Sequence, residues 1–368
     1  MADYYIGLIS GTSMDAIDAV LAKFERSSVD VLQTHKYRYP TDLHDALLSV
    51  ISDPGQCTLD DFGALDRRVG NSFRDAAIDL LDDAGIDASE VVAIGSHGQT
   101  LRHQPDAADP YTIQIGDASV IAKGTGITTV ADFRRGDLAL GGQGAPLTPP
   151  FHEWLFRRSD ASCVVLNIGG IANVTILPAG GSDVTGFDTG PGNTLLDAWI
   201  REQRDEPFDR DGSWAATGKV QQKLLARLLA DPYFSAQPPK STGFEYFNLG
   251  WVGDAGGNDY QPADVQATLA SLTATSIASA ILKHAPGTTE VLVCGGGVHN
   301  RDLLRRLAAD LPGATISSTA ARGLDPDWVE AAAFAWLAMR ALKHLPGNLP
   351  SVTGASRAAV LGAIYPPQ

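Results

Sequence analysis

The sequence predicts a duplicated α/β fold, and two observations carry that prediction. An apolar strand, a polar glycine turn and a return strand occur at Tyr4–Leu21 and again at Ser162–Leu177. Each copy opens a segment in which strand-like and helix-like periods alternate, as in layered α/β domains. Two such hairpins imply similar halves with a cleft between them, where both turns grip one nucleotide.

The bulk numbers bound the function. A chain of 368 residues allows two domains. Its 44% hydrophobic and 19% charged residues suit a large core. With 43 acids against 28 Lys plus Arg, the net charge is −15. That charge argues against nucleic acid and anionic membrane as partners. An anionic substrate then needs local donors. Cys57, Cys163 and Cys294 are odd in number and fit no zinc spacing, so reduced thiols and a cytoplasmic location are expected. Met1-Ala2-Asp3-Tyr4-Tyr5 lacks a basic n-region, so no signal peptide is expected. The apolar run Ala331–Met339 is too short to span a bilayer. A homodimer is expected.

Along the first half, Tyr4–Ile9 and Ala16–Leu21 read as strands flanking Ser10-Gly11-Thr12-Ser13-Met14-Asp15. Such a turn is either a tight hairpin or a phosphate cradle of amide N–H groups. Val29–Tyr39 reads as a third strand, and Thr41–Ile51 and Thr58–Ala84 as helices. The second helix opens on a capping box, Thr58 with Asp61, and carries the stripe Leu59, Phe62, Leu65, Val69, Phe73, Ala76 and Leu80. Val91–Ile94 is a short strand ending at Gly95-Ser96-His97-Gly98-Gln99-Thr100. Strand ends collect functional groups in α/β folds, so His97 is a sugar contact or a hydrogen-bonded structural residue. Tyr111–Ile115 and Ile127–Ala131 are further strands. Arg134 and Arg135 suit a substrate carboxylate, or a surface ion pair with Asp132 or Asp137. Gly141–Leu147 reads as the crossing into the second half.

The second hairpin is the centre of the chain. Cys163–Leu166 and Val174–Leu177 are strands around Asn167-Ile168-Gly169-Gly170-Ile171-Ala172-Asn173. Gly186-Phe187-Asp188-Thr189-Gly190-Pro191-Gly192-Asn193 follows as a second turn, then the helix Thr194–Arg201. Turn amides and the helix N-terminus offer two anion-binding donor sets beside one acid, Asp188. Phosphoryl transfer needs that combination of positioning and charge neutralisation. The plain alternative is a glycine-rich hairpin with a solvated acid. Val220–Ala230 reads as a helix, Pro232–Gly257 as an irregular excursion near a substrate or subunit surface, and Ala263–His284 as a long helix. The strand Val291–Cys294 runs into Gly295-Gly296-Gly297-Val298-His299-Asn300, which fits either a flat adenosine or close β–α packing. A helix runs from Asp327 to Leu345, with Glu330 in its first turn, where a carboxylate suits the dipole. Ala358–Ile364 reads as a strand returning to the first half. The expected domains are 1–130 with 346–368, and 131–345.

Taken together, Ser10–Asp18, Gly95–Thr100, Leu166–Asn173, Gly186–Asn193 and Cys294–Asn300 resemble the anhydro-N-acetylmuramic acid kinase family over nearly the whole chain. Ala16 departs from an expected Gly. The resemblance implies the actin–hexokinase-like (ribonuclease H-like) two-lobed fold with a central nucleotide and substrate cleft. It implies ATP and Mg²⁺ as cofactors, the metal ligands being unassigned. The implied reaction opens 1,6-anhydro-N-acetylmuramic acid with water and phosphorylates O6, in cell-wall recycling. Asp188 is implied as general base and Glu330 as a second acid. Nucleotide contacts are assigned to Gly11, Thr12, Ser13, Met14, Asp15, Ala16, Ile17, Asp18, Asn167, Gly169, Gly170, Gly295, Gly296, Gly297 and Asn300. Substrate contacts are assigned to Ser96, His97, Gln99, Arg134, Gly190 and Asn193. A kinase of another anhydro sugar such as levoglucosan, and a non-catalytic nucleotide-binding regulator, are the competing readings.

Overall fold

In the computed structural model, which describes residues 3–11, 14, 16–243 and 245–368, the repeated hairpins become the leading strands of two separate sheets. The first unit comprises Met1–Leu155 and Trp328–Gln368, and the second Phe156–Asp327.

In the first unit, β1 (Tyr4–Ser10), β2 (Ile17–Glu25) and β3 (Ser28–Tyr37) form an antiparallel meander. Helices α1 (Thr41–Ser52) and α2 (Leu59–Ala84) follow, then β4 (Val91–Ser96), which pairs parallel with β1. A two-stranded ribbon, β5 (Gln99–Gln104) and β6 (Tyr111–Ile115), leads through α3 (Ala118–Thr125) to β7 (Thr129–Ala131), parallel to β4. The strand order is β3-β2-β1-β4-β7. Most of the α2 stripe forms as its spacing requires: Leu65, Val69, Phe73, Ala76 and Leu80 are buried with Ile6, Leu8 and Leu21 of the sheet, and Phe62 is partly buried against them. Leu59, the first helical residue, is instead 90% exposed, because the helix start extends past the sheet. Its capping box is present, Thr58 Oγ1 accepting from the Asp61 N–H at 3.1 Å and Asp61 Oδ2 from the Thr58 N–H at 3.0 Å. Such caps contribute about 1 kcal/mol. Helices α4 (Phe133–Leu138) and α5 (Pro149–Phe156) complete this segment.

The second unit repeats the plan. β8 (Cys163–Ile168), β9 (Ile171–Leu177) and β10 (Thr185–Pro191) are an antiparallel meander followed by α6 (Thr194–Arg204), α7 (Gln222–Leu229), α8 (Pro232–Ser235), α9 (Leu249–Asp254) and α10 (Pro262–His284). Then β11 (Glu290–Cys294) pairs parallel with β8, α11 (Arg301–Asp310) crosses, and β12 (Thr315–Ser318) pairs parallel with β11. The order β10-β9-β8-β11-β12 matches β3-β2-β1-β4-β7 of the first sheet in order and direction; the first sheet gains a sixth strand from the end of the chain. This is the ribonuclease H-like order, present twice. Among the described residues, α10 alone is long and apolar enough to cross a membrane, but 78% of its apolar window is buried within the protein. It is a core helix.

The chain then returns to the first unit as α12 (Val329–Leu342), α13 (Pro350–Thr353) and β13 (Ala363–Tyr365), the last pairing antiparallel with β7. This moves the expected boundaries from 130 to 155 and from 346 to 328, because α12 lies directly on β1 and β4. Glycines make that approach possible. A Cβ on Gly7 would sit 1.8 Å from the Ala331 carbonyl oxygen, and one on Gly95 would sit 2.0 Å from that of Phe334. The returning strand is shorter than Ala358–Ile364, and Gly186–Pro191 is mostly strand rather than turn.

Candidate active site

In the first unit the predicted residues converge at the ends of β1 and β4 and the start of α12. His97 follows β4 and is held by its N–H to the Leu8 carbonyl at 2.9 Å. Its ring lies 4.7 Å from that of Phe334 on α12. Arg134 donates to His97 Nε2 from Nε at 3.0 Å and from Nη2 at 2.9 Å, and from Nη1 to the Gly144 carbonyl at 2.8 Å. Arginine only donates, so Nε2 carries the lone pair and Nδ1–H donates to the Gly98 carbonyl, 2.9 Å away. Burial and Arg134 together push the His97 pKa well below the ordinary imidazole value. Both ring nitrogens are thus engaged within the protein. With no ring nitrogen left to offer a ligand, His97 is a neutral ring that orients Arg134.

Arg134 retains one N–H on each terminal nitrogen and has no carboxylate at ion-pairing distance among the described residues. Burial lowers its pKa to about 10, with Glu330 and Asp137 opposing that shift. The alternative surface pairing with Asp137 is excluded. Asp137 is fully buried, accepting from Asn348 Nδ2 at 2.7 Å, Thr353 Oγ1 at 2.8 Å and the Gly144 N–H at 2.8 Å. Asp137 therefore anchors the loop that grips Arg134, while Arg135 is the residue paired at the surface, 3.5 Å from Asp132. Glu330 is exposed but crowded by protein. That crowding and Asp18 raise its pKa, and Arg134 opposes them. Ser96 Oγ and Gln99 Oε1 are buried without a hydrogen-bond partner among the described residues, as is His103 Nε2, which sequence reasoning did not single out.

The nucleotide hairpin of this unit is described in part. Thr12, Ser13 and Asp15 lie outside the described residues. Gly11 has open space where a Cβ would project. Met14 and Ile17 are buried in the core, so only their backbone is available to a ligand, and Ala16 is partly buried. Asp18 lies 3.8 Å from Lys36.

In the second unit the turns at 169–170 and 190–194 are bound together. The N–H groups of Gly192 and Thr194 donate to the Gly170 carbonyl at 2.8 and 3.0 Å, and that of Asn193 to the Gly169 carbonyl at 2.8 Å. This corrects the expectation of an open donor set there: the amides of Gly192, Asn193 and Thr194 are used inside the protein. Asn193 Nδ2 also turns inward, to the Ile168 carbonyl at 3.3 Å. Gly190 packs beneath Phe234, where a Cβ would lie 2.7 Å from the ring. The Gly169 and Gly170 amides, by contrast, have no backbone partner among the described residues.

The triple glycine divides in the same way. Gly295 has φ +77° and lies against Asn167, and Gly297 packs on Ile168, whereas a Cβ on Gly296 would meet nothing within 4 Å. Asn167 Oδ1 is buried and unpartnered among the described residues. Asn300 Oδ1 caps α11, accepting from the Leu303 N–H at 3.0 Å, so its side-chain oxygen is committed to the helix.

Asp188 lies on β10, partly buried. Its Oδ2 accepts from the Thr242 N–H at 3.0 Å. Burial raises its pKa to about 7, against the opposing Thr242 hydrogen bond and the Lys240 charge. A carboxyl poised near neutrality is suited to taking a proton from a nucleophile at working pH. Lys240 and Thr242 belong to the excursion between α8 and α9. Their signal in the sequence was a lone lysine in a Pro- and aromatic-rich stretch.

A ribonuclease H-like unit used twice, with turn amides at Gly169 and Gly170 that have no backbone partner among the described residues, is the build of the actin–hexokinase class of phosphotransferases. The family profile described as "Anhydro-N-acetylmuramic acid kinase" matches residues 3–367. The chain is 53% identical over 366 residues to the anhydro-N-acetylmuramic acid kinase of Xanthomonas campestris pv. campestris (strain 8004), covering 98% of this chain and 97% of that one. It is 52% identical over 364 residues to that of Shewanella amazonensis, covering 98% of each, and 50% identical over 366 residues to that of Shewanella pealeana, covering 99% of each. The chain belongs to the anhydro-N-acetylmuramic acid kinase family. Neither the levoglucosan-type kinase nor the non-catalytic regulator is favoured by these relatives.

Proposed function

We propose that Asp188 is the general base of an ATP-dependent ring opening of 1,6-anhydro-N-acetylmuramic acid. A water oxygen attacks C1, its proton passes to Asp188, and the C1–O6 bond breaks. O6 then takes the γ-phosphoryl group as ADP leaves, giving N-acetylmuramic acid 6-phosphate. The observation that carries this reading is the Asp188 carboxyl itself: partly buried, fixed by one backbone N–H, and raised to about 7. Its chemistry is proton removal, while positioning of the phosphates falls to backbone amides.

In the second unit the amides of Gly169 and Gly170 hold phosphate oxygens and Gly296 faces the adenosine; in the first, the turn at Gly11 is a further phosphate contact. Among the described residues, a Cβ on Gly11, Gly169 or Gly296 would meet no atom nearer than 3.6 Å. In this reading the nucleotide takes that space. Gly169→Ala and Gly296→Ala are expected to leave Tm within about 2 °C while raising the KM for ATP roughly tenfold or more. Thermal melts beside ATP titrations check this. An unchanged KM in both variants removes these turns from the nucleotide site.

In this reading Asp18 and Glu330 of the first unit would hold Mg²⁺ together with the substrate phosphates. Asp18 and Glu330 are electrostatically coupled carboxylates, and Mg²⁺ binds through one or two carboxylates plus substrate phosphates rather than a protein cage. When bound, it neutralises phosphate charge. Arg134, with two N–H groups left, takes the lactyl carboxylate of the sugar, and Ser96 and Gln99 supply its hydroxyl and amide contacts. ADP release is expected to depend on the anhydro sugar. Arg134→Leu is expected to raise the KM for the carboxylate-bearing sugar at least a hundredfold, because a charged partner is left unpaired, with little effect on a levoglucosan-type substrate. Equal loss on both sugars denies Arg134 this role. A cytoplasmic homodimer completes the reading; light scattering of the purified protein tests the dimer.

A further inference from the structure

We propose that Lys240 is a positioning residue for Asp188, the strap it belongs to clamping the acid's backbone while its ammonium group supports the ionised carboxyl. The inference rests on Asp188 being the base. Three hydrogen bonds join the strap to this one residue. The Asp188 N–H donates to the Lys240 carbonyl at 3.1 Å, the Thr242 N–H donates to Asp188 Oδ2 at 3.0 Å, and the Tyr233 hydroxyl donates to the Asp188 carbonyl at 2.8 Å. Backbone and side chain of the acid are therefore both fixed from the same segment.

Lys240 is itself held in place. Its Nζ donates to the Tyr233 carbonyl at 3.0 Å and lies 4.5 Å from the centroid of the Tyr233 ring and 5.9 Å from that of Phe187. Phe187 immediately precedes Asp188 on β10. Among the described residues no carboxylate lies within ion-pairing distance of Lys240, so its charge is not neutralised by a salt bridge. Ring faces stabilise a cation without neutralising it. The strap's own anchor is Asp231, which accepts from the Tyr233 N–H, the Tyr246 hydroxyl and Trp251 Nε1, each at 2.9 Å. Tyr233, Phe234, Tyr246, Phe247 and Trp251 pack ring against ring around that anchor.

The charged and titratable groups bearing on the acid are Lys240 and Tyr233; Lys283 of α10 acts in turn on Lys240, and Lys240 and Lys283 on His284. Burial drives Asp188 towards its neutral form, and Lys240 with the Thr242 N–H opposes it. Without the lysine the acid holds its proton to higher pH and is a poorer acceptor at neutrality.

The test is the pH profile of kcat/KM for sugar-dependent ADP release, together with the carboxyl-carbon NMR titration of Asp188, assigned by its loss in Asp188→Asn. Lys240→Met is expected to move both the acid limb and the NMR midpoint upward by about one pH unit, as loss of a nearby opposite charge does. Lys240→Arg is expected to restore them. Should Lys240→Met not fold, Lys240→Gln, which removes the charge and keeps a polar head for the Tyr233 carbonyl, is expected to give the same upward move. An unmoved limb and midpoint in folded Lys240→Met, or in folded Lys240→Gln where that variant stands in, overturn the proposal. Full turnover in Asp188→Asn instead overturns the reading of Asp188 as base, and the NMR midpoint in Lys240→Met still reports on the clamp.

Discussion

Asp188→Asn is expected to lower sugar-dependent ADP release by about 10³-fold or more, at the upper end of what general bases contribute, with ATP binding unchanged. The substitution is nearly isosteric. Asparagine Oδ1 can still accept from the Thr242 N–H, and the Tyr233 hydroxyl and the Lys240 carbonyl bond to backbone groups that the change does not touch. What is lost is the capacity to take a proton. Stability gives an independent reading. The folded pKa of Asp188 is raised to about 7, whereas an unfolded Asp titrates near 3.9. A raised folded pKa means that the protonated form is favoured in the fold. The associated stability is present in full below about pH 4 and is lost as pH rises through about 7. Above that pH the charged acid destabilises its surroundings, and asparagine relieves this. Asp188→Asn is therefore expected to melt higher than the parent at pH 8, by on the order of 2 kcal/mol, and level with it near pH 4. Calorimetry at the two pH values decides. A variant that retains turnover, or that melts lower at pH 8, contradicts the environment assigned to this carboxyl.

The duplication was legible because its signal is periodic. Two apolar runs broken by glycine-containing turns gave two antiparallel hairpins, and the α2 stripe gave a buried face. Asp188 and Glu330 stand out in the sequence as candidates for another reason: each is a carboxylate within a few residues of a strand end or a helix start. What the sequence hid was contact across long chain separations. Asp137 looked like a surface acid beside two arginines, yet it is buried by Asn348 and Thr353, more than two hundred residues away. His97 looked like a sugar ligand, and only the position of Arg134 shows that its second nitrogen is taken. The excursion that carries Lys240 and Thr242 shows no period, because the order around it comes from rings packed about Asp231 rather than from a repeating backbone. β5 and β12 are short and polar and lack the apolar alternation that marks a strand. Glycines were the least readable. The same residue type serves packing at Gly297, backbone conformation at Gly295 and open space at Gly296.

That difference among glycines sets the second large expectation. Gly7→Ala is expected to destabilise the first unit by about 3 kcal/mol or more, at or beyond the upper range for overpacking, which lowers Tm by roughly 10 °C. The new Cβ would lie 1.8 Å from the Ala331 carbonyl oxygen and 2.8 Å from the Ala335 amide nitrogen. Both are backbone atoms of α12, so no rotamer change relieves the overlap; the helix itself must move off β1. Glu330 sits in the first turn of that helix, and Phe334 of the same helix backs the His97 ring. A displaced α12 thus carries both away from Arg134. Turnover is expected to fall further than the loss of folded protein explains. Gly63→Ala separates this from a general intolerance of alanine. Gly63 lies within α2, and its Cβ would meet nothing within 4 Å. There the same chemical change removes only the entropic penalty of glycine in a helix and is expected to stabilise by about 0.5–1 kcal/mol. Opposite signs for the two substitutions follow if the glycine in β1 is there to seat α12; equal, small effects would mean that the helix can shift without cost and that its contact with the sheet does not place Glu330.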